Sequence, residues 1–294
     1  MPVNPSPAVQ RAGQILWLMA RRPSESYSVS ELARAAGIPR ATCDSILQAL
    51  AEQGLVTRQE LRYELGAFCV ALGDAARAAN SVLNAAAREG EELARRLNSY
   101  VMICACVGDE VRVVTVCDWG PPLGMRMRSG QSIPLVAPFG AVFVAWDDTA
   151  AEAWLTRADN AADAEQADRW RMALDATRRR GYSISVTADR AAELASGLDV
   201  LIDNPDSRDA RRRRDELIDA VQHSEYLAVD IDDDAVARLS HVSAPVFDRS
   251  GTVAASLMLL GSQHGLTGRE LHALGRQVAQ AAARATKTIG GSGT

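Results

Sequence analysis

The stretch Ser28–Val56, SVSELARAAGIPRATCDSILQALAEQGLV, constrains this chain more than any other. It lays out two short amphipathic helices, a tight glycine-containing turn and a glycine that ends the second helix. Ser28 or Ser30 can cap the first, because a side-chain oxygen satisfies amide groups that have no helical partner. Leu32, Ala33 and Ala36 then share an apolar face. Gly37 tolerates the left-handed backbone of the turn, and Pro39 suits the first turn of the next helix. Ile46, Leu47 and Leu50 form the second buried stripe and leave Arg40, Thr42, Ser45 and Gln48 on the other side. Gly54 closes that helix, and Leu55-Val56 begins an extended segment. A rigid helix pair whose second member presents small polar and basic groups is the shape that enters a DNA major groove.

Around this element, 294 residues leave room for two domains. The apolar fraction of 47% lets each bury a core, while 5% aromatics with abundant Ala favour close helix packing. A formal charge of −5 excludes a nonspecific polyanion binder and is neutral on a specific one. Lys287 is the only lysine, and nothing functional follows from that. Five cysteines, an odd number, without a secretory leader point to a reducing cytoplasm. No run approaches the ~20 apolar residues that span a bilayer.

Residues 1–7 are rich in Pro and Ser and read as loose. The segment AVQRAGQILWLMARR places Val9, Ala12, Ile15, Leu16 and Met19 on one helical face, to pack beneath the helix pair. After Val56, TRQELRYELG reads as a two-stranded wing, with Arg58 and Arg62 placed to touch phosphates, which position a protein without reading sequence. A winged helix-turn-helix over residues 7–66 follows. Residues 67–98 read as a linker helix with the stripe Leu72, Ala75, Ala79, Val82, Leu83, Ala86, Leu93 and Leu97. It serves either as a dimer seam or as packing for its own chain.

Beyond Ser99 the pattern turns to strands. YVMICACVG and EVRVVTVCD form a hairpin around Gly108-Asp109. Then come MRMRSGQSIPL, a helical APFGAVFVAW, amphipathic helices at 150–158 and 166–180, and a strand from Gly181. Residues 189–225 read as polar helix, with the run RRRRDELID balanced by its own acids into a solvated face. YLAVDI, HVSAPVFD and TVAASLMLLG return to strand, and residues 266–289 close the chain as a helix capped by Thr267 and Glu270. The fold class is α+β, with an antiparallel sheet covered by helices over residues 99–289.

These pieces, in this order and spacing, resemble the IclR family of transcriptional regulators along nearly the whole chain. The carriers are PAVQRAGQIL, the Ser28–Val56 pair, GQSIPLVAPFGAVFVAW, RRRGYSI and SAPVFDRSGTVAASLMLLG. The resemblance implies a GAF-like C-terminal domain that binds a small-molecule effector, and homodimers or tetramers that hold paired half-sites of double-stranded operator DNA. Three departures from the family pattern matter. Where relatives carry a Ser-Thr pair and then an Arg in the recognition helix, this chain reads Ala41-Thr42, Asp44 and Ser45. Asp44 either accepts a hydrogen bond from a cytosine amino group or caps locally. The phosphate grip then falls to Arg11, Arg34, Arg40, Arg58 and Arg62, with Ser30, Thr42, Ser45 and Gln48 also expected at the DNA. An insertion of about fifty residues, 188–239, covers the pocket, forms an oligomer contact or is passive.

The third departure concerns the pocket. The family's ligand positions fall here on Pro138, Phe139, Ser185, Val242, Met258 and Leu260, a lining poor in donors. A buried carboxylate without partners is costly, so a hydrophobic or aromatic effector is expected, unless the pocket is filled by its own side chains. An interaction protein that keeps the fold and has lost DNA reading is the alternative to a regulator.

Other chemistry is thin. Cys104 and Cys106 alternate on one strand, with Cys117 expected on its neighbour, and core filling outweighs a thiol sensor. His223, His241, His264 and His272 have no metal-ligand spacing. Asp230 and Asp232–Asp234 lack the glycine and terminal Glu of a calcium loop. With no nucleophile elbow, phosphate loop or dinucleotide fingerprint, neither an enzyme nor a cofactor is expected.

Overall fold

The computed structural model describes residues 6–20, 22–120, 127–158, 164–186, 209, 212, 215–216, 227–261 and 264–290. It divides into two compact units, with the boundary between Ala79 and Asn80.

In the N-terminal unit, α1 (Pro7–Ala20) precedes β1 (Tyr27–Ser28), α2 (Val29–Ala35) and α3 (Arg40–Glu52). The strands β2 (Val56–Gln59) and β3 (Arg62–Leu65) and the helix α4 (Ala67–Ala79) complete it. Ser28 caps α2 in a full capping box, its hydroxyl accepting from the Glu31 amide while the Glu31 carboxylate accepts from the Ser28 amide. That settles the cap in favour of Ser28 and leaves Ser30 half-buried inside the helix. Those same bonds hold the Glu31 carboxyl below its ordinary value. The wing has three strands rather than two, in the order β1-β3-β2, because Tyr27 and Ser28 pair with Tyr63 and Arg62. Ile15, Leu18, Met19, Leu32, Leu47 and Tyr63 fill the core. On α1, Leu18 is buried and Val9 is 71% exposed, so the buried stripe is narrower than its sequence spacing.

The stretch 67–98 is two helices, not one linker helix: it breaks at Asn80, whose side chain caps α5 (Ser81–Leu97) by accepting from the Leu83 amide at 3.0 Å. The continuous stripe read from sequence divides with it. Ala86 and Leu93 of α5 are fully buried, whereas α4 buries none of its residues.

In the C-terminal unit, β4 (Tyr100–Val107) and β5 (Glu110–Asp118) form the expected hairpin, followed by β6 (Ser132–Pro134). The helices α6 (Ala141–Val144), α7 (Asp148–Thr156) and α8 (Ala164–Arg180) lead to β7 (Ser183–Val186). Then come β8 (Val236–Phe247), β9 (Val253–Leu260), β10 (Gly265–Thr267) and α9 (Gly268–Thr288). The antiparallel sheet runs β10-β8-β9-β4-β5-β6, with β7 also on β8. Helices α5 and α9 cover one face over Val101, Ile103, Val242, Ala244, Leu257 and Leu259. Their junction is tied by Arg284 Nε donating to the buried Glu89 carboxylate at 2.7 Å. A Cβ on Gly275 of α9 would lie 2.1 Å from the Tyr182 ring, so only glycine lets this helix approach.

The opposite face packs on α6, α7 and α8 through Met102, Cys104, Trp154, Trp170 and Met258. Cys117 lies on the strand beside that of Cys104, as expected, but Cys104 enters one core and Cys117 the other. Desolvation pushes Cys104 and Cys117 up to about 12 and Cys106 to about 11, so all three stay protonated thiols near neutral pH. Most of the run RRRRDELID and most of the 188–239 insertion lie outside the described residues. Its last part returns as chain that pairs with β7: Leu227 bridges Ser185, and β8 already begins at Val236.

Candidate nucleic-acid interface and ligand cavity

The buried residues of α3 are Cys43, Leu47 and Leu50, three and four apart, with Ile46 half-buried beside them. Helical period then fixes the outward face. At 100° per residue Ala41, Ser45 and Gln48 lie opposite that stripe, with Asp44 and Thr42 on its two flanks. Ala41, Ser45 and Gln48 are exposed, and Asp44 and Thr42 are half-buried. Gly37 and Gly54, at φ 65° and 69°, turn the chain into and out of this helix in the left-handed region that favours glycine. Cys43, which sequence reading left off the stripe, is fully buried, and burial raises its thiol to about 11.

The candidate DNA contacts divide by what else they touch. Arg11, Arg34 and Arg40 are exposed on α1, α2 and the start of α3. Arg62 is folded back onto its own domain, donating from Nε to the Ser26 hydroxyl at 2.8 Å and pairing with Glu31 at 3.3 Å. Arg58 donates to the Glu60 carbonyl at 2.9 Å and lies 5.8 Å above the Tyr63 ring. The two wing arginines thus brace the wing. Asp44 does not cap the helix: its Oδ2 accepts from Gln48 Nε2 at 3.1 Å, one turn on.

The second site is a narrow cavity between β7, β8 and β9 and the turn into α6, with an empty volume of about 240 Å³ that includes open solvent. Its lining contains Pro138, Ser185 and Met258 from the expected set, and it adds Ser183, His241, Ser243, Leu227 and residues 140–143. Phe139, Val242 and Leu260 do not line it. Phe139 is buried, with its carbonyl accepting the Trp154 indole N–H at 2.6 Å. Val242 pairs with Leu259 and Ile184 and faces the α5–α9 core. Leu260 packs on the α6–α8 core. Successive strand residues point to opposite faces, so the cavity side of β8 is His241 and Ser243, one place either side of Val242.

That shift changes the chemistry of the lining, which is not poor in hydrogen-bonding groups. Three serine hydroxyls and an imidazole meet there. His241 Nε2 lies 3.3 Å from the Ser185 hydroxyl, and burial lowers its pKa to about 4, so the ring is neutral near neutral pH. Ser243 Oγ is buried with no hydrogen-bond partner among the described residues, as is Ser256 Oγ on the neighbouring strand. No arginine or lysine stands in the lining. The signal for His241 and Ser243 was the alternation His241, Ser243 against Val242, Ala244, Val246 in HVSAPVF.

Among the described residues, no group of His, Cys, Asp and Glu could hold a metal ion. Nor is any described helix long and apolar enough to cross a membrane.

Residues 8–60 match the IclR helix-turn-helix domain. No curated protein is a significant sequence match to the chain. Solved structures share its fold at low identity. An IclR transcriptional regulator from Alicyclobacillus acidocaldarius superposes with a TM-score of 0.66 at 20% identity, over 97% of this chain and 100% of that one. Pseudomonas aeruginosa HmgR gives 0.63 at 22% identity, over 98% and 100%. An IclR homologue from Microbacterium hydrocarbonoxydans, crystallised with 4-hydroxybenzoate, gives 0.62 at 15% identity, over 97% and 100%.

Proposed function

We propose that the chain is a transcriptional regulator of the IclR family, by its helix-turn-helix domain and its fold, and that it binds operator DNA under the control of a small effector. The observation that carries the DNA half is α3: Cys43, Leu47 and Leu50 are turned inward, and an exposed face of small and polar side chains remains for a major groove. Arg11, Arg34 and Arg40 supply the phosphate contacts, and Arg58 and Arg62 hold the wing in shape. The DNA-binding unit extends to Ala79, and the effector unit begins with α5. A cytoplasmic location accords with this role.

The cavity is the effector site in this reading. Its lining supplies hydroxyls and a neutral imidazole but no cation, which disfavours a small dicarboxylate whose second charge would be buried unpaired. An effector with an apolar or aromatic body and one polar head fits better. The 4-hydroxybenzoate of the Microbacterium homologue has such an aromatic body, with a single carboxylate and a hydroxyl opposite it. Because the cavity is narrow as it stands, Met258 and Leu227 move aside on binding. The bound state then favours one arrangement of two recognition helices over another and changes operator affinity.

Pairing of half-sites needs two copies. Phe68 and Leu72, four apart on one face of α4 and each at least 51% exposed, support self-association there, in a dimer or a tetramer. Gel shifts on DNA upstream of the protein's own gene, across a salt series, test the DNA reading. A retarded band at low salt that weakens with salt is expected. The absence of any band would favour an interaction protein that has kept the fold, a reading to which the engaged wing arginines lend some weight. Calorimetry with 4-hydroxybenzoate, glyoxylate and pyruvate tests the effector class, and micromolar binding of the two small oxo-acids would overturn it.

A further inference from the structure

The recognition-helix face carries an acid where a groove lined by phosphates would disfavour one, and the acid is already engaged. Gln48 Nε2 donates to Asp44 Oδ2 at 3.1 Å. This pair occupies positions i and i+4, a rise of about 6 Å, with Gln48 on the exposed face of α3 and Asp44 half-buried on its flank. The bond fixes the carboxylate orientation and leaves Oδ1 as an acceptor with no hydrogen of its own. It also orients the Gln48 amide, whose Oε1 and second Nε2 hydrogen remain available beside it.

Resting on the DNA-binding reading above, we propose that Asp44, steadied by Gln48, reads a cytosine in each half-site. The argument is one of matching donors to acceptors. A carboxylate only accepts, so the base beneath it must donate. Guanine shows two acceptors in the major groove and thymine one acceptor with a methyl, so both are repelled. Adenine sets a donor beside an acceptor, and cytosine alone shows only the N4 amine. Arg40 sits at the start of the same helix, and its positive charge offsets the cost of bringing Asp44 into the field of the phosphates. The pair therefore trades affinity for discrimination: guanine and thymine lose the hydrogen bond, and adenine keeps it only beside a like-pole contact with N7.

Selection of binding sites from a random duplex pool by the full-length protein at fixed low salt tests this, alongside Asp44→Ala, Asp44→Asn and Gln48→Ala. Wild type is expected to enrich one cytosine position per half-site. Asp44→Ala should flatten that preference by about tenfold or more, the range of one good base contact. Asp44→Asn should turn it toward adenine, which the amide matches with a donor and an acceptor. Gln48→Ala should weaken the preference without moving it. An unchanged cytosine preference in Asp44→Ala would overturn the proposal while leaving DNA binding intact. Failure of every protein to enrich any sequence would overturn the DNA-binding reading together with it.

Discussion

The recognition helix and the cavity strand pose the same problem, deciding which side chains face a ligand, and they differ in how far sequence pattern answers it. On α3 the inward set is spaced at three and four residues, and a one-residue error rotates the outward face by 100° without inverting it. Most of the face survives such an error. On β8 the period is two, and the same error moves every side chain to the other surface. Assigning Val242 to the cavity thus loses both His241 and Ser243 and turns a polar lining into an apolar one. Helix-borne sites tolerate approximate register, and strand-borne sites do not.

The largest way to stress the comparison is to remove the buried side of α3. Leu47 is fully buried, and Leu47→Ala should cost the N-terminal unit about 2–5 kcal/mol. DNA retention should fall with it, whereas ligand binding in the C-terminal unit should persist. Urea unfolding followed separately by DNA binding and by calorimetry checks this. Loss of both functions together would mean that the two sites do not rest on separate cores.

A second test exploits the neutral imidazole of the cavity strand. His241 is held near 4, against an ordinary value near 6.5 in the unfolded chain. Between those values the unfolded state binds the proton and the folded state does not, so stability must rise with pH across that window. The contribution is complete above about 6.5 and is lost as pH falls toward about 4, amounting to on the order of 1–2 kcal/mol for a part-buried ring. Denaturant midpoints measured between those pH values, in wild type and His241→Gln, should show a steeper slope in wild type, since lowered carboxylates such as Glu31 add the same modest slope to both. An equal slope in both would place the acid sensitivity elsewhere.

The helix side has a smaller counterpart in its cap. Ser28→Ala removes the acceptor of the Glu31 amide and should cost about 1 kcal/mol. The residue-28 amide still donates to the Glu31 carboxylate, so Glu31 keeps its pair with Arg62 and the loss is confined to one capping bond. A modest shift in the thermal midpoint is expected. Ser30→Ala should leave it nearly unchanged, since Ser30 makes no cap.

How much was legible follows the range of the interactions involved. The helix pair, its turn glycines and the capping box at Thr267 are written within a few residues, and they stand in the structure as expected; the cap at Ser28 is one of the two offered, and the wing gains a third strand. The family resemblance extended this to the sheet and its covering helices. What sequence missed depends on distant partners. Asn80 reads as one more polar residue in a helical run until its side chain is seen capping α5. Arg58 and Arg62 read as free cations, because Ser26, Glu31 and the Glu60 carbonyl become their partners only when the wing closes. Cys104 and Cys117 read as neighbours, yet their side chains enter cores on opposite faces of the sheet.

The finest test sits at Ser243, where site and stability should part company. Its hydroxyl is 1% exposed and makes no hydrogen bond among the described residues, so desolvating it costs free energy that the fold does not recover. Ser243→Ala removes that cost and little volume, and should leave stability unchanged or raise it by up to about 1 kcal/mol. If the cavity takes a polar head group, the same change should weaken effector binding while DNA binding without effector stays as it was. Val242→Ala, one residue away on the opposite face, should do the reverse: lower stability through the α5–α9 core and leave binding nearly intact. Opposite signs at adjacent positions are what a period of two demands. Weaker effector binding in Val242→Ala with no effect of Ser243→Ala would return the cavity to the apolar lining that sequence alone suggested.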